Sequence, residues 1–143
     1  MRFLLPLILL VGSPAFAADQ FDLACEGTKW IKRGGEGEKY KVRAHVDLAA
    51  KKWCEDDCKT LQKIVSFNDR EIILTDDTVF NAKVDSMREV TFDREVLMFK
   101  NHYMQNKPTQ EYVGIQAVCK IETFTPFPGV APATTVATAS TGD

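Results

Sequence analysis

From Tyr40 to Leu48 the chain reads Tyr-Lys-Val-Arg-Ala-His-Val-Asp-Leu, apolar or small at every even position and polar at every odd one. A period of two marks a strand with one face in a core and the other in water, because successive side chains of an extended chain point to opposite sides. The segment 113–121 repeats it, with Val113, Ile115, Ala117, Cys119 and Ile121 on one side and Gln116 and Lys120 on the other. Phe21, Leu23 and Cys25 follow the same rhythm near the start. Weaker strand candidates lie at 63–67, 71–74, 79–85, 89–92 and 96–103. Asn68-Asp69-Arg70, Asp76-Asp77 and Asp93-Arg94-Glu95 fall between them as turn signals. No stretch combines length, caps and a helical stripe, and 54–63 admits at most a couple of helical turns. The expected fold is all-β: an antiparallel meander of about eight short strands, a small closed barrel or tight sandwich, disulfide-bonded. Closure into a barrel is preferred because it removes exposed strand edges.

The chain opens with Met1-Arg2, an apolar run from Phe3 to Val11, and Gly12-Ser13-Pro14-Ala15-Phe16-Ala17. A basic start, a short apolar core and small residues at the last and third-last positions describe a signal peptide over residues 1–17, cleaved before Ala18. A membrane anchor would need about 18 continuous apolar residues, and Asp19 and Asp22 intervene. Leu23-Ala24-Cys25 does not make a lipobox, since Asp22 stands where the leucine belongs. Residues 18–125 are then one barrel-like domain. Residues 126–143, rich in Ala, Thr and Pro and almost without charge, read as a disordered tail. The expected location is the periplasm or the exterior.

In such a chain four cysteines imply two disulfides. Parity chooses among the three pairings. Cys25 and Cys119 each sit on the apolar side of a strand, the first and the last, which a closed meander makes neighbours. Cys54 and Cys58 remain as a local pair across Glu55-Asp56-Asp57. The Cys-x-x-x-Cys spacing matches neither zinc nor redox motifs, and no cofactor or metal is expected.

Without Arg2 the basic residues number 17 against 20 acidic ones, so no global charge draws the chain to nucleic acid or membrane. The charge is uneven, however. Residues 28–52 hold eight basic and three acidic residues, and 53–85 hold eight acidic and four basic. Two solvated faces are the ordinary reading; a basic rim for an acidic partner is the sharper one. Lys32-Arg33-Gly34-Gly35-Glu36-Gly37-Glu38-Lys39 is a glycine-rich hairpin tip with no phosphate-loop context. His45 falls on the wet side of its strand and His102 near a strand end. Neither accompanies a nucleophile motif, so no catalytic residue is expected. Trp30, Trp53, Phe67, Phe80, Phe92, Phe99, Tyr103 and Tyr112 are assigned to core packing.

Phe21-x-Leu23-x-Cys25-x-Gly27, Asp47-Leu48 running to Trp53-Cys54, Thr91-Phe92-Asp93-Arg94, and Cys119 leading to Phe124-x-x-Phe127-Pro128 resemble a group of small exported alphaproteobacterial proteins, a likeness that implies no particular activity. A looser resemblance is to membrane-bound or periplasmic C-type lysozyme inhibitors, small barrels with an aromatic-x-Cys opening strand and a late Cys. Their Ser-Gly-x-x-Tyr loop has no counterpart here. The function expected is a non-enzymatic binding module for an unknown protein or a small apolar ligand, monomeric and without a membrane span. The alternative is an inhibitor of a secreted hydrolase, acting through a loop such as Lys29 to Lys39. A ligand binder needs an internal cavity of a few hundred Å3; an inhibitor needs a filled core and a protruding loop.

Overall fold

A computed structural model describes residues 18–129. The expected signal peptide (1–17) and most of the expected tail (130–143) lie outside the described residues. Nine strands form one antiparallel sheet, curled into a half-barrel. They are β1 (Gln20–Trp30), β2 (Glu38–Asp47), β3 (Lys52–Glu55), β4 (Gln62–Lys63), β5 (Ser66–Phe67), β6 (Glu71–Phe80), β7 (Asp85–Asp93), β8 (Met98–Lys107) and β9 (Glu111–Glu122). The spatial order is β4-β3-β2-β1-β9-β8-β7-β6-β5. Every strand therefore lies beside a sequence neighbour, and β1 and β9 join the two halves.

The alternation sets which side chains point inward. Leu23, Val46, Trp53, Ile72, Leu74, Val90, Phe92 and Phe99 are fully buried on the concave face. Cys25 stands directly opposite Cys119 in the β1–β9 register, and the two are bonded. Cys54 and Cys58 are bonded across the turn that ends β3. Gly27 lies opposite Ala117, where an added Cβ would run into the Gln116 carbonyl oxygen. Only a glycine lets β1 and β9 bend this closely together.

The outer strands β4 and β5 are joined by Ile64 and Val65 alone. Ile64 N–H donates to the Lys51 carbonyl on the β3 side (2.9 Å), and Val65 N–H donates to the Ile73 carbonyl on the β6 side (3.0 Å). With Ile64 buried, this two-residue stitch closes the lower part of the curl. Above it the concave face becomes polar: Arg88 of β7 reaches Glu55 of β3 at 3.2 Å. Burial pushes the Glu55 carboxyl above its ordinary range, Arg88 pulling the other way.

Several expectations are corrected. Residues 71–80 form one strand, and Asp76-Asp77 is no turn: the pair lies opposite Glu89 and Arg88. The turn falls at Asn81, whose Oδ1 accepts the N–H groups of Lys83 (2.9 Å) and Val84 (2.8 Å). Residues 63–67 split into β4 and β5 around the stitch, and β3 was not anticipated. Phe67 and Phe80 are exposed rather than core residues. The ordered chain also continues past Thr125 into the span read as tail. Phe127 is only 6 % exposed and packs edge-on against Phe124, because an aromatic pair can bury area that the surrounding Ala, Thr and Pro cannot.

Candidate functional site

The convex face of β2, β1 and β9 carries a buried polar cluster. Asp22 lies opposite His45 in one register and opposite Glu122 in the other, and its residue is 0 % exposed. Its Oδ1 lies 2.8 Å from His45 Nδ1 and accepts the Thr125 N–H at 3.1 Å. Its Oδ2 accepts the Thr125 hydroxyl at 2.7 Å and the Arg43 guanidinium at 3.5 Å. Arg43 also bonds Glu122 at 2.7 Å. The other ring nitrogen of His45 is 3.1 Å from the Asp56 carbonyl oxygen.

His45 is thus corrected from a wet position to a buried one, 6 % exposed. Its strand face does point outward, but the turn carrying Asp56 and the segment carrying Thr125 cover it. Both ring nitrogens are engaged, and the Thr125 hydroxyl is spent on the carboxylate rather than on the ring. A proton relay from hydroxyl to imidazole to carboxylate needs the hydroxyl on the ring's far nitrogen. Here that nitrogen faces a backbone carbonyl. The cluster can hold segments together; it has no nucleophile aligned for transfer.

Beside it lies a cleft of about 580 Å3 over Ala24 and Val118, walled by Lys41, Arg43 and Lys120. Lys41 bonds Glu26 at 2.7 Å and holds that carboxyl below its ordinary range. With Arg43 on Glu122, two of the three cations are neutralised locally.

A second cleft, of about 600 Å3, opens where β1 runs into the glycine-rich loop. Ile31, Lys32 and Arg33 form one wall, and Met104, Tyr112 and Val113 the other. Ile31 is 67 % exposed. The Arg33 guanidinium lies 5.8 Å from the Tyr112 ring centre and 3.5 Å from the Met104 sulfur. The loop turns through Gly34 at φ +72°, a conformation that favours glycine, and Gly35 N–H bonds back to the Lys32 carbonyl at 3.1 Å. The loop so turned presents an apolar side chain beside two cations.

His102 stands apart from the Asp22 cluster and packs edge-on against Tyr112 of the loop cleft, with ring centres 5.4 Å apart. Among the described residues no group of three or more His, Cys, Asp or Glu is arranged to hold a metal ion. The buried Asp22 cluster was missed in the sequence; its one signal is an acid at an otherwise apolar opening, Phe21-Asp22-Leu23. No family model matches the chain, and neither a curated protein nor a solved structure is significantly similar to it.

Proposed function

We propose that this is an exported, non-enzymatic binding module of the periplasm or the exterior, engaging a protein partner through the loop of residues 31–37. The observation that carries the reading is the loop cleft: exposed Ile31 beside Lys32 and Arg33, facing Tyr112 and Met104. An apolar anchor flanked by cations suits a partner that offers an apolar side chain next to carboxylates. The concave face is packed with Trp53, Phe92, Phe99 and Leu23, which argues for a protein at the rim over a small apolar ligand inside. Two disulfides suit an oxidising compartment.

A filled core with a projecting loop also favours a narrower reading, inhibition of a secreted hydrolase by insertion of this loop. Cross-linking from a photoreactive residue placed at Lys32, in the protein's own compartment, followed by mass spectrometry, tests the site. One dominant cross-linked protein, lost on Ile31→Asp with Arg33→Glu, is expected. Unchanged capture by that variant rejects the loop as the site. If the captured protein is a hydrolase whose activity falls on adding the purified module, the narrower reading holds.

A further inference from the structure

The upper half of the half-barrel has two free edges. β3 pairs with β2 only from Ala44 to Asp47, and β5 pairs with β6 only at Ile72 and Ile73. Asp56 caps β2 at Arg43, donating its N–H to the Arg43 carbonyl (2.7 Å) and accepting the Arg43 N–H on its carboxylate (3.1 Å). Above that cap, Glu38–Lys41 of β2 and Asp76–Phe80 of β6 have no strand on their outer side among the described residues.

Alternation fixes which backbone groups face out. Arg43 points its N–H and C=O toward β3, so Lys41 and Lys39 do likewise. Asn81 N–H bonds across the hairpin to the Val84 carbonyl, so Asp76, Thr78 and Phe80 present theirs to the open side.

The two edges differ in charge. β2 carries Lys39 and Lys41 there; β6 carries Asp76 and Asp77 and ends in Phe80, 80 % exposed. Edge charges ordinarily prevent unwanted pairing. The lysines guard β2 against another β2, and the aspartates guard β6 against another β6. Neither guards one against the other.

We infer that this chain self-associates head to tail, the free edge of β6 in one copy adding antiparallel to the free edge of β2 in the next. The register that sets Lys41 opposite Asp76 sets Lys39 opposite Thr78, and it stops short of the Asp56 cap. In the first of these pairs an ammonium meets a carboxylate, and Lys41 exchanges or shares its exposed partner Glu26 at little cost. The strands already run in opposite directions when two copies stand side by side, so the sheet continues from one molecule to the next. Such a contact is heterologous: an open assembly always keeps one free β2 edge and one free β6 edge, at opposite ends, and growth proceeds to rings or short chains. This departs from the expected monomer and is independent of any partner at the loop cleft.

Sedimentation velocity on the mature protein, followed to about 1 mM because a four-residue edge contact is weak, tests it. The weight-average sedimentation coefficient should rise with concentration and fall back as salt screens the lysine–aspartate contacts. Thr78→Pro and Lys41→Pro each remove an N–H that points into solvent, so each should fold yet stay monomeric when alone. Mixed, they have one intact β6 edge and one intact β2 edge between them, and should form heterodimers and nothing larger. If circular dichroism shows either proline variant unfolded, Asp76→Lys and Lys41→Glu test it by charge. Each alone sets like charges opposite and should stay monomeric. Mixed, they set opposite charges together at both contacts and should associate again, beyond dimers; a mixture that stays monomeric overturns the inference. A wild-type protein monomeric throughout overturns the inference. So does dimerisation of the Lys41→Pro variant alone, which would signify β6 pairing with β6, or a mixture that stays monomeric.

Discussion

Asp22 shows how one residue can be decisive where the pattern around it is ordinary. Its carboxylate collects His45, the Thr125 N–H and hydroxyl, and Arg43, groups drawn from opposite ends of the chain. Asp22→Ala leaves these donors facing an apolar hole. Losing one partner of a buried, charge-assisted network costs about 3–5 kcal/mol, read as a drop in the urea midpoint; Thr125→Val, which removes one bond to it, should cost about 1 kcal/mol. Glu55 carries a pH prediction. Its folded carboxyl titrates above the ordinary 4.5 because burial disfavours the charge. The folded state therefore holds that proton more tightly than the unfolded one, a contribution present below pH 4.5 and lost as pH rises through the folded value. Wild type should accordingly lose stability relative to Glu55→Gln as pH climbs from 4.5, measured by denaturation in parallel buffers. An unchanged difference, or one of opposite sign, contradicts the burial argument. None of this was legible in the sequence, because Asp22 and Glu55 are acids on otherwise ordinary strands until Thr125 and Arg88 reach them from distant segments.

At the scale of elements, the strongest alternations translated directly. Tyr40–Leu48 and 113–121 became β2 and β9, and the inward parity of Cys25 and Cys119 is the parity the bonded pair has in the β1–β9 register. The weaker elements were misdivided where local chemistry and pairing disagreed. Asp76-Asp77 has turn-forming residues, yet β7 offers a continuous partner along that stretch, and Asn81 supplies a better turn four residues later. The two disulfides act on elements of different reach. Cys25–Cys119 ties residues 94 apart in sequence, and Cys54–Cys58 residues 4 apart. By the chain-entropy relation, replacing both Cys25 and Cys119 by Ala costs about 4–5 kcal/mol and the same change at Cys54 and Cys58 about 2. Thermal unfolding of the two double variants measures the order, and equal losses would show that native geometry outweighs loop entropy.

Across the whole molecule, the segment that follows β9 is part of the fold rather than an appendage. Ending the chain after Glu122 removes the Thr125 bonds to Asp22 and the burial of Phe127, and should cost about 3–5 kcal/mol by the usual penalty for losing a buried aromatic. Ending it after Gly129 should leave the unfolding midpoint unchanged, and both truncations are read by chemical denaturation. The sequence by itself determined the all-β class, the antiparallel order and the side of each strong strand that faces the core. Period-two alternation is a local property that a strand carries into any sheet it joins. Only the tertiary structure decided what covers the other side. His45 is buried because Asp56 and a segment 103 residues beyond Asp22 close over it. Among the described residues the upper edges of β2 and β6 are open because β3 and β5 stop short. Coverage and edge pairing depend on contacts between distant segments, and no local period encodes them.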